Sequence, residues 1–430
     1  MKILDFKSKN FEKELCKITD AKEGSSQIAE IVSKVIADIK LNGDTALLEY
    51  TKKFDKAELT PKTLAVSKSE IARALKETSA EEKAQIKEAI KCVSFFHKKT
   101  MPKNWRAKNP QGAIVGENFY PINRVGLYIP GGQVPLVSTV VMTGVLAKIA
   151  KCPEICVCTP PSPEGKINSK LLCALNFLGI SEIYKCGGSQ AIAAMALGTK
   201  TIKPVDKLFG PGNAFVIEAK RQMFGKVGVD LLPGPSEVLI LSDSTASAKY
   251  VAADLLSQAE HGSGRERIFY VSTSEALLKK VLKEIEIQAQ TLSRREKLKA
   301  IIENSTYVIH CPDIKSAAYV ANRIAPEHME LQVAAKDLPY LEKNIKTAGA
   351  ILAGEYTPTV LGDFTAGPSH TLPTGGTGRF SGGLQLIDFM RRSSFVKYDK
   401  KSIAKAAPVV AAFSKMEMLD AHGASLLKRL

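Results

Sequence analysis

From Arg124 to about Ile324 the chain alternates short apolar runs with helix-length stretches, a pattern that calls for parallel sheets covered by helices. Arg124-Val-Gly-Leu-Tyr-Ile-Pro-Gly-Gly132 reads as an apolar strand running into a tight turn. Ile155 to Thr159 is a buried strand ended by Pro160-Pro161, and Ser169 to Leu178 is a helix. Glu182 to Cys186 is a strand stopped by Gly187-Gly188, after which Ser189 caps an apolar helix from Ala191 to Leu197. A second series opens at Val238 to Leu241. It continues with a helix over Ala246 to Glu260, a strand over Arg267 to Val271, a helix over Ser274 to Leu292, a strand over Tyr307 to His310 and a helix over Ile314 to Ile324. Two such series in succession predict two parallel-sheet domains.

The flanks read differently. Between Ser25 and Lys99 apolar residues recur at three and four, as in Ile28, Ile31, Val32, Val35 and Ile36, so this section is predicted helical with a first break at Asn42-Gly43-Asp44. Trp105 to Tyr120 is a short polar stretch, and helix returns after Gly383 over Ile403 to Phe413 and Glu417 to Leu427. Boundaries fall near Asn123, near Gly234-Pro235 and within the glycine-rich run from Gly375 to Gly383.

The chain's 430 residues are enough for two or three domains. Its most apolar stretch, Leu136 to Ala150, is broken by Ser138, Thr139, Thr143 and Lys148, which argues against a membrane span. Asp5 arrives before any apolar segment that could serve as a secretory signal, so a cytoplasmic protein is expected. Sixty Lys and Arg against 44 Asp and Glu give a net charge of +16, open to nucleic acid, an anionic surface or phosphate-bearing ligands. The basic residues mix with acidic ones at helical spacing and are not interleaved with aromatic residues, which favours a solvated surface over a nucleic-acid platform. Eight cysteines without a Cys-x-x-Cys pair read as buried reduced thiols.

The dinucleotide fingerprint Gly-x-Gly-x-x-Gly is absent. Glycines instead follow several strand ends, at Pro130-Gly-Gly132, Gly187-Gly188, Gly210-Pro-Gly-Asn213 and Gly234-Pro-Ser236. Each alone is an ordinary turn; together they suit an anionic ligand approaching backbone N–H groups at the carboxyl ends of strands. Six histidines are present. His97 reads as part of a solvated helix end and His310 as structural, while His261, His328, His370 and His422 sit among carboxylates, amides and turns. Gln258 and His261, three apart near a helix end, project to one side. With Asp363 and His422 they would form a set suited to zinc, manganese, cobalt or iron better than calcium, although spacing alone equally permits a helix-capping His261. Glu327-His328 follows Pro326, which pushes Ala325 toward extended backbone, so both side chains could line a cleft from a loop and move protons near neutral pH. A polar pair on a surface loop is the competing reading.

VGLYIPGG, GGSQAIAAMALGT, FGPGNAFV, GPSEVLIL, DLLSQAEHG, RIAPEHMEL, LGDFTAGPSHTLPTGG and EMLDAHGAS occur in the order found in the histidinol dehydrogenases, which this chain resembles from about Arg124 to Leu426. The resemblance implies an α/β fold of two incomplete Rossmann-like domains with a helical N-terminal section and a helical tail, in an intertwined homodimer. It divides the chain into an extension (1–24), a first Rossmann-like unit (25–123 with 236–382), a second, NAD-binding unit (124–235) and a tail domain (383–430). It implies oxidation of L-histidinol to L-histidine through the aldehyde, with two NAD+ as co-substrate and one zinc ion per subunit, and neither nucleic acid nor membrane as partner. Gln258, His261, Asp363 and His422 match the zinc ligands, and Glu327 and His328 the proton-transfer pair. Ser236, His370 and Glu417, with His328 and the metal ligands, match substrate contacts, and Tyr128, Gln190 and Asn213 match NAD contacts. Rival readings are an aldehyde dehydrogenase with a cysteine nucleophile, an iron(II) oxygenase and a basic nucleic-acid binder.

Overall fold

The computed structural model describes residues 1–19, 26–131, 135–260 and 264–430, without the side chain of Lys297. Two all-parallel sheets form its frame. The larger has six strands in the order Lys2–Asp5, Thr306–His310, Arg267–Ser272, Glu237–Ser242, His328–Gln332 and Ala350–Ala353. The smaller has five, in the order Glu182–Lys185, Glu154–Thr159, Arg124–Tyr128, Lys207–Phe209 and Gly228–Val229. Leaving aside the N-terminal strand, both follow the order 3-2-1-4-5 of their own series, a Rossmann order short of its last strand. The two successive strand–helix series of the sequence thus fold with one strand order.

The helices predicted before residue 100 are present, with Gly43 at φ +53° separating Ser26–Asn42 from Asp44–Tyr50. Their packing departs from the expected grouping. Val32, Val35, Ile39 and Leu47 share a core with Tyr128 and Ile192, while Val66, Ile86 and Val93 share one with Val125 and Leu146. These helices therefore cover the smaller sheet. The extension supplies an edge strand of the larger one, where Leu4, Phe11 and Leu15 join the core of Leu239 and Val271. Sequence proximity to residue 124 and a complementary apolar face decide the first; edge pairing with Thr306–His310 decides the second.

Trp105–Lys108, Ile114–Pro121 and Met390–Lys397 form a small antiparallel sheet where a polar connection was expected. Beyond it the tail is helical, over Lys400–Met416 and Asp420–Leu427. The segment 369–389 links the two large sheets: Gly375 N–H donates to Glu237 Oε2 at 3.1 Å, and Phe389 stacks on Phe209 with centroids 3.8 Å apart. Among the described residues no helix is long and apolar enough to cross a membrane. All eight cysteines are unpaired and six are buried.

Candidate active site

Glu327 and His328 enter the fold from a helix cap and a strand, not from the cleft-lining loop that their sequence context suggested. Ala325 closes the helix Ile314–Ile324 in the left-handed region, at φ 50° rather than extended. Right-handed helix is disfavoured before a proline, and a left-handed cap turns the chain fast enough for Glu327 to reach the sheet at once. His328 is the first residue of the strand His328–Gln332, and the two side chains are 7% and 4% exposed.

Both sit at the amino edge of the larger sheet, opposite to the carboxyl edge where a ligand was expected. Glu327 Oε2 accepts the Glu237 N–H at 2.8 Å, and its carbonyl accepts the Ala350 N–H at 2.9 Å. Gly349 lies so close that a Cβ would stand 2.6 Å from the Glu327 carbonyl oxygen. His328 Nδ1 lies 3.1 Å from the Glu237 carbonyl oxygen, which can only accept, so Nδ1 carries the proton and Nε2 is the basic nitrogen. Asp363 Oδ1 is 3.7 Å from that Nε2.

Burial makes the carboxyls of this cluster weaker acids. Glu327 is pushed well above the ordinary carboxylate range by burial, with the charges of Glu237 and Asp363 adding to it. Asp363 is pushed up to about 6 by burial alone. Glu237 is raised by burial even though Arg267 Nη1 lies 2.9 Å from its Oε1. Asp363 can therefore hold or release a proton close to neutral pH.

The remaining positions are spread around this edge. Ser236 is half-buried immediately before Glu237. His370 Nε2 lies 3.4 Å from Thr139 Oγ1, at the start of the helix Val137–Ile149 on the smaller sheet. Gln258 is buried in the last turn of Ala248–Ala259, and its Nε2 has no hydrogen-bond partner. His261 lies outside the described residues. Glu417 and His422 are exposed in the terminal helical pair. Among the described residues no three His, Cys, Asp or Glu side chains converge as a metal site would require. His97, expected in a solvated helix end, is instead buried and pushed down to about 4 by that burial, because its helix lays it against the core.

Tyr128, Gln190 and Asn213 gather at the carboxyl edge of the smaller sheet. Tyr128 ends its strand, and its hydroxyl accepts the Gly188 N–H at 3.1 Å. Gly187, not Ser189, is the cap of the helix Gly188–Leu197, since the turn needs Gly188 at φ +63° and draws Ser189 into the first turn. Asn213 caps Ala214–Met223 by accepting the N–H groups of Phe215 and Val216. Asp55, which sequence reasoning missed, belongs here: its Oδ2 accepts from Gly187 N at 3.1 Å and Gln190 Nε2 at 3.4 Å. Burial lifts it to about 6. A single aspartate after a lysine-rich turn carries no periodic or motif signal.

Comparison with known proteins adds to this geometry. The family model described as histidinol dehydrogenase matches residues 18–430. Histidinol dehydrogenase of Cereibacter sphaeroides is 39% identical over 428 residues, covering 99% of this chain and 98% of that one. That of Clostridium acetobutylicum is 40% identical over 405 residues, covering 94% and 93%. The crystal structure of histidinol dehydrogenase from Elizabethkingia anophelis is 36% identical with a TM-score of 0.94, over 100% of this chain and 98% of that one. An acetylating aldehyde dehydrogenase from Geobacillus thermoglucosidasius, 14% identical with a TM-score of 0.50, covers 87% of this chain and 97% of its own, a likeness of fold alone.

Proposed function

The chain belongs to the histidinol dehydrogenase family, and on that premise we propose that it oxidises L-histidinol to L-histidine through L-histidinal in the last steps of histidine biosynthesis, consuming two NAD+ and one water. The observation that carries this reading is the buried Glu327–His328 pair beside Asp363, facing a strap whose His370 reaches the sheet bearing Tyr128 and Gln190. A substrate held at one sheet's amino edge thus lies toward a dinucleotide held at the other's carboxyl edge. Residues 124–235 form the NAD-binding unit in this reading, and residues 236–382 carry the substrate and proton-transfer groups.

His328 takes the alcohol proton at Nε2 while hydride leaves the carbinol carbon for the nicotinamide. The Glu237 carbonyl, bonded to Nδ1–H, holds the ring in the tautomer that leaves Nε2 basic. Glu327 then takes a proton from water as it adds to the aldehyde while His328 returns its proton to the aldehyde oxygen, giving a gem-diol that yields its second hydride to the nicotinamide and a hydroxyl proton to His328. No cysteine is needed as nucleophile. Ser236, His370 and Glu417 contact substrate, and Tyr128, Gln190 and Asn213 hold NAD.

Gln258, His261, Asp363 and His422 would hold one zinc ion per subunit. Buried Gln258 and half-buried Asp363 offer an amide oxygen and a carboxylate oxygen that fit such a group, and the amide end of Gln258 is not tied down through its nitrogen. The metal's contribution is to grip the substrate's imidazole and amino groups. His422 and Glu417 reach the site from the partner subunit of a homodimer, consistent with their exposure here. The protein works in the cytoplasm.

The deciding experiment counts NADH formed per histidinol under anaerobic conditions. Two per substrate, abolished by chelation and restored by zinc, is the expected result. One NADH per substrate overturns the four-electron reaction, and full turnover of demonstrably metal-free protein overturns the metal assignment.

A further inference from the structure

One helical turn away from Gln258 and Asp363, three elements are tied together by buried polar groups that take no part in the chemistry above. Glu330 lies mid-strand in His328–Gln332 and is 1% exposed. Its Oε1 accepts both the backbone N–H and the hydroxyl of Thr359, each at 2.6 Å, at the first residue of the helix Thr359–Phe364. The Nε2 of Gln332 donates to Glu330 Oε2 at 3.0 Å and to Asp254 Oδ2 at 2.8 Å. Asp254 belongs to the helix Ala248–Ala259.

The spacing repeats in all three elements. Gln258 follows Asp254 by four residues and Asp363 follows Thr359 by four, about 6 Å along a helix, while His328 precedes Glu330 by two, about 6.6 Å along a strand. The contacts of Thr359 with Glu330 and of Asp363 with His328 show that the short helix runs against the strand. The longer helix, a crossover between the parallel strands Glu237–Ser242 and Arg267–Ser272, runs the same way. Both helices therefore deliver their next turn to the amino edge where Glu327 and His328 sit.

We propose that Asp254, Glu330 and Gln332 form a brace of positioning residues that fixes Gln258 and Asp363 in the geometry the metal needs. The inference rests on the zinc reading above. Its polar bookkeeping favours a shared proton: Asp254 is pushed up to about 8, by burial first and then by the charge and hydrogen bond of Glu330. A protonated Asp254 donates to the Glu330 carboxylate while still accepting from Gln332. An asparagine reproduces both bonds, donating through its amide nitrogen and accepting through its oxygen. An alanine reproduces neither.

The test is zinc affinity, measured by chelator competition on the purified full-length chain at a temperature where every variant is folded, together with kcat and KM for histidinol. Glu330→Ala, Thr359→Val and Asp254→Ala should weaken zinc binding on the order of 10–100-fold, the usual cost of removing support behind a ligand. Asp254→Asn should stay within about threefold of the unmodified chain, a rescue that an obligatory charge on Asp254 would not allow. Should Glu330→Ala fail to fold, Thr359→Val and Asp254→Ala carry the same comparison, since each removes only part of the network. Unchanged zinc affinity in the variants that fold overturns the brace. Equal weakening by Asp254→Asn and Asp254→Ala overturns the shared proton. Asp363→Ala is the separate control: undiminished zinc binding there overturns the metal reading itself, whatever the brace variants do.

Discussion

In the proposed reaction Glu327 and His328 divide two proton transfers between neighbours that face different partners. Glu327 is raised by burial and fixed by the Glu237 N–H, whereas His328 is held at Nδ1 and presents Nε2 toward Asp363. Glu327→Gln keeps the hydrogen-bond acceptor but cannot take a proton from water. It should slow the aldehyde-to-acid half by about 10²-fold or more while the alcohol half loses far less. Assays started separately from histidinol and from histidinal read the two halves, and equal losses would end the division of roles. Asp254 gives a second prediction, with its sign fixed by linkage. Its folded-state value of about 8 stands above the ordinary 3.8, so the folded chain binds the extra proton between those values. The stability this provides is full below about pH 4 and lost as pH climbs through 8. Melting temperatures should therefore fall between pH 5 and 8.5, and Asp254→Asn should flatten that slope. The Pro-Glu-His run was legible as chemistry because a carboxylate and an imidazole stood together after a helix breaker. Glu330 was not, because an acid inside a short strand looks solvent-facing until its partners Thr359 and Gln332 are known.

Helices were the legible elements. Ile314–Ile324 has the bounds read from its periodicity, and the helix over Ala246 to Glu260 differs by two residues at its start and one at its end. Short strands were legible only where an apolar run marked them, as at Arg267–Ser272 and Thr306–His310, but Lys2–Asp5, His328–Gln332 and Ala350–Ala353, of four or five residues each, escaped the reading. Met390–Lys397, with Arg-Arg-Ser-Ser at its centre, is a strand because Ile114–Pro121 pairs with it along its whole length. Tertiary pairing overrode composition there. The loop after Lys207–Phe209 shows how much an element can depend on one ion pair. Gly210 at φ +114° leaves no room for a side chain, since a Cβ would stand 2.1 Å from the Tyr128 carbonyl oxygen. Fully buried Asp230 accepts the Gly210 N–H at 2.8 Å, fully buried Lys220 donates to the Gly210 carbonyl at 2.9 Å, and the two side chains pair with each other. Lys220→Ala strands the Asp230 charge and should cost about 3–5 kcal/mol of stability. Denaturant titration reads that loss, and a raised KM for NAD should accompany it because Asn213 rides on the same loop. A loss under about 1 kcal/mol would show that the pair is not what holds the turn.

At the scale of the whole molecule, the two sheets share one strand order, and in the proposed reading they use opposite edges, carboxyl for the dinucleotide and amino for the proton-transfer pair. The segment 369–389 ties the two sheets together, while Glu417 and His422 stand exposed on the terminal helical pair. The terminal helices Lys400–Met416 and Asp420–Leu427 pack chiefly on each other. They expose Val409, Phe413, Met416, Met418 and Leu427, with Met418 87% accessible. Apolar side chains crowded on a helical pair of this size mark a surface that a second molecule covers. In a two-fold dimer the same pair would lie against the partner, carrying Glu417 and His422 to the neighbour's site and receiving the neighbour's in return. Removing residues 400–430 should therefore give a chain that stays folded, because both large cores lie before residue 390, but sediments as a monomer and oxidises no histidinol. Sedimentation velocity and the NADH assay on one preparation read both properties. Mixing it with full-length chain carrying Glu327→Gln provides the sharper outcome. The truncated chain has an intact Glu327 but no tail, the variant has a tail but no Glu327, and a heterodimer would hold one complete site. Recovery on mixing of the full two-NADH turnover, which the variant alone reaches only slowly and the truncated chain not at all, is the expected result. A truncated chain that remains dimeric, or that turns over histidinol unaided, would place the completion of the site within the subunit.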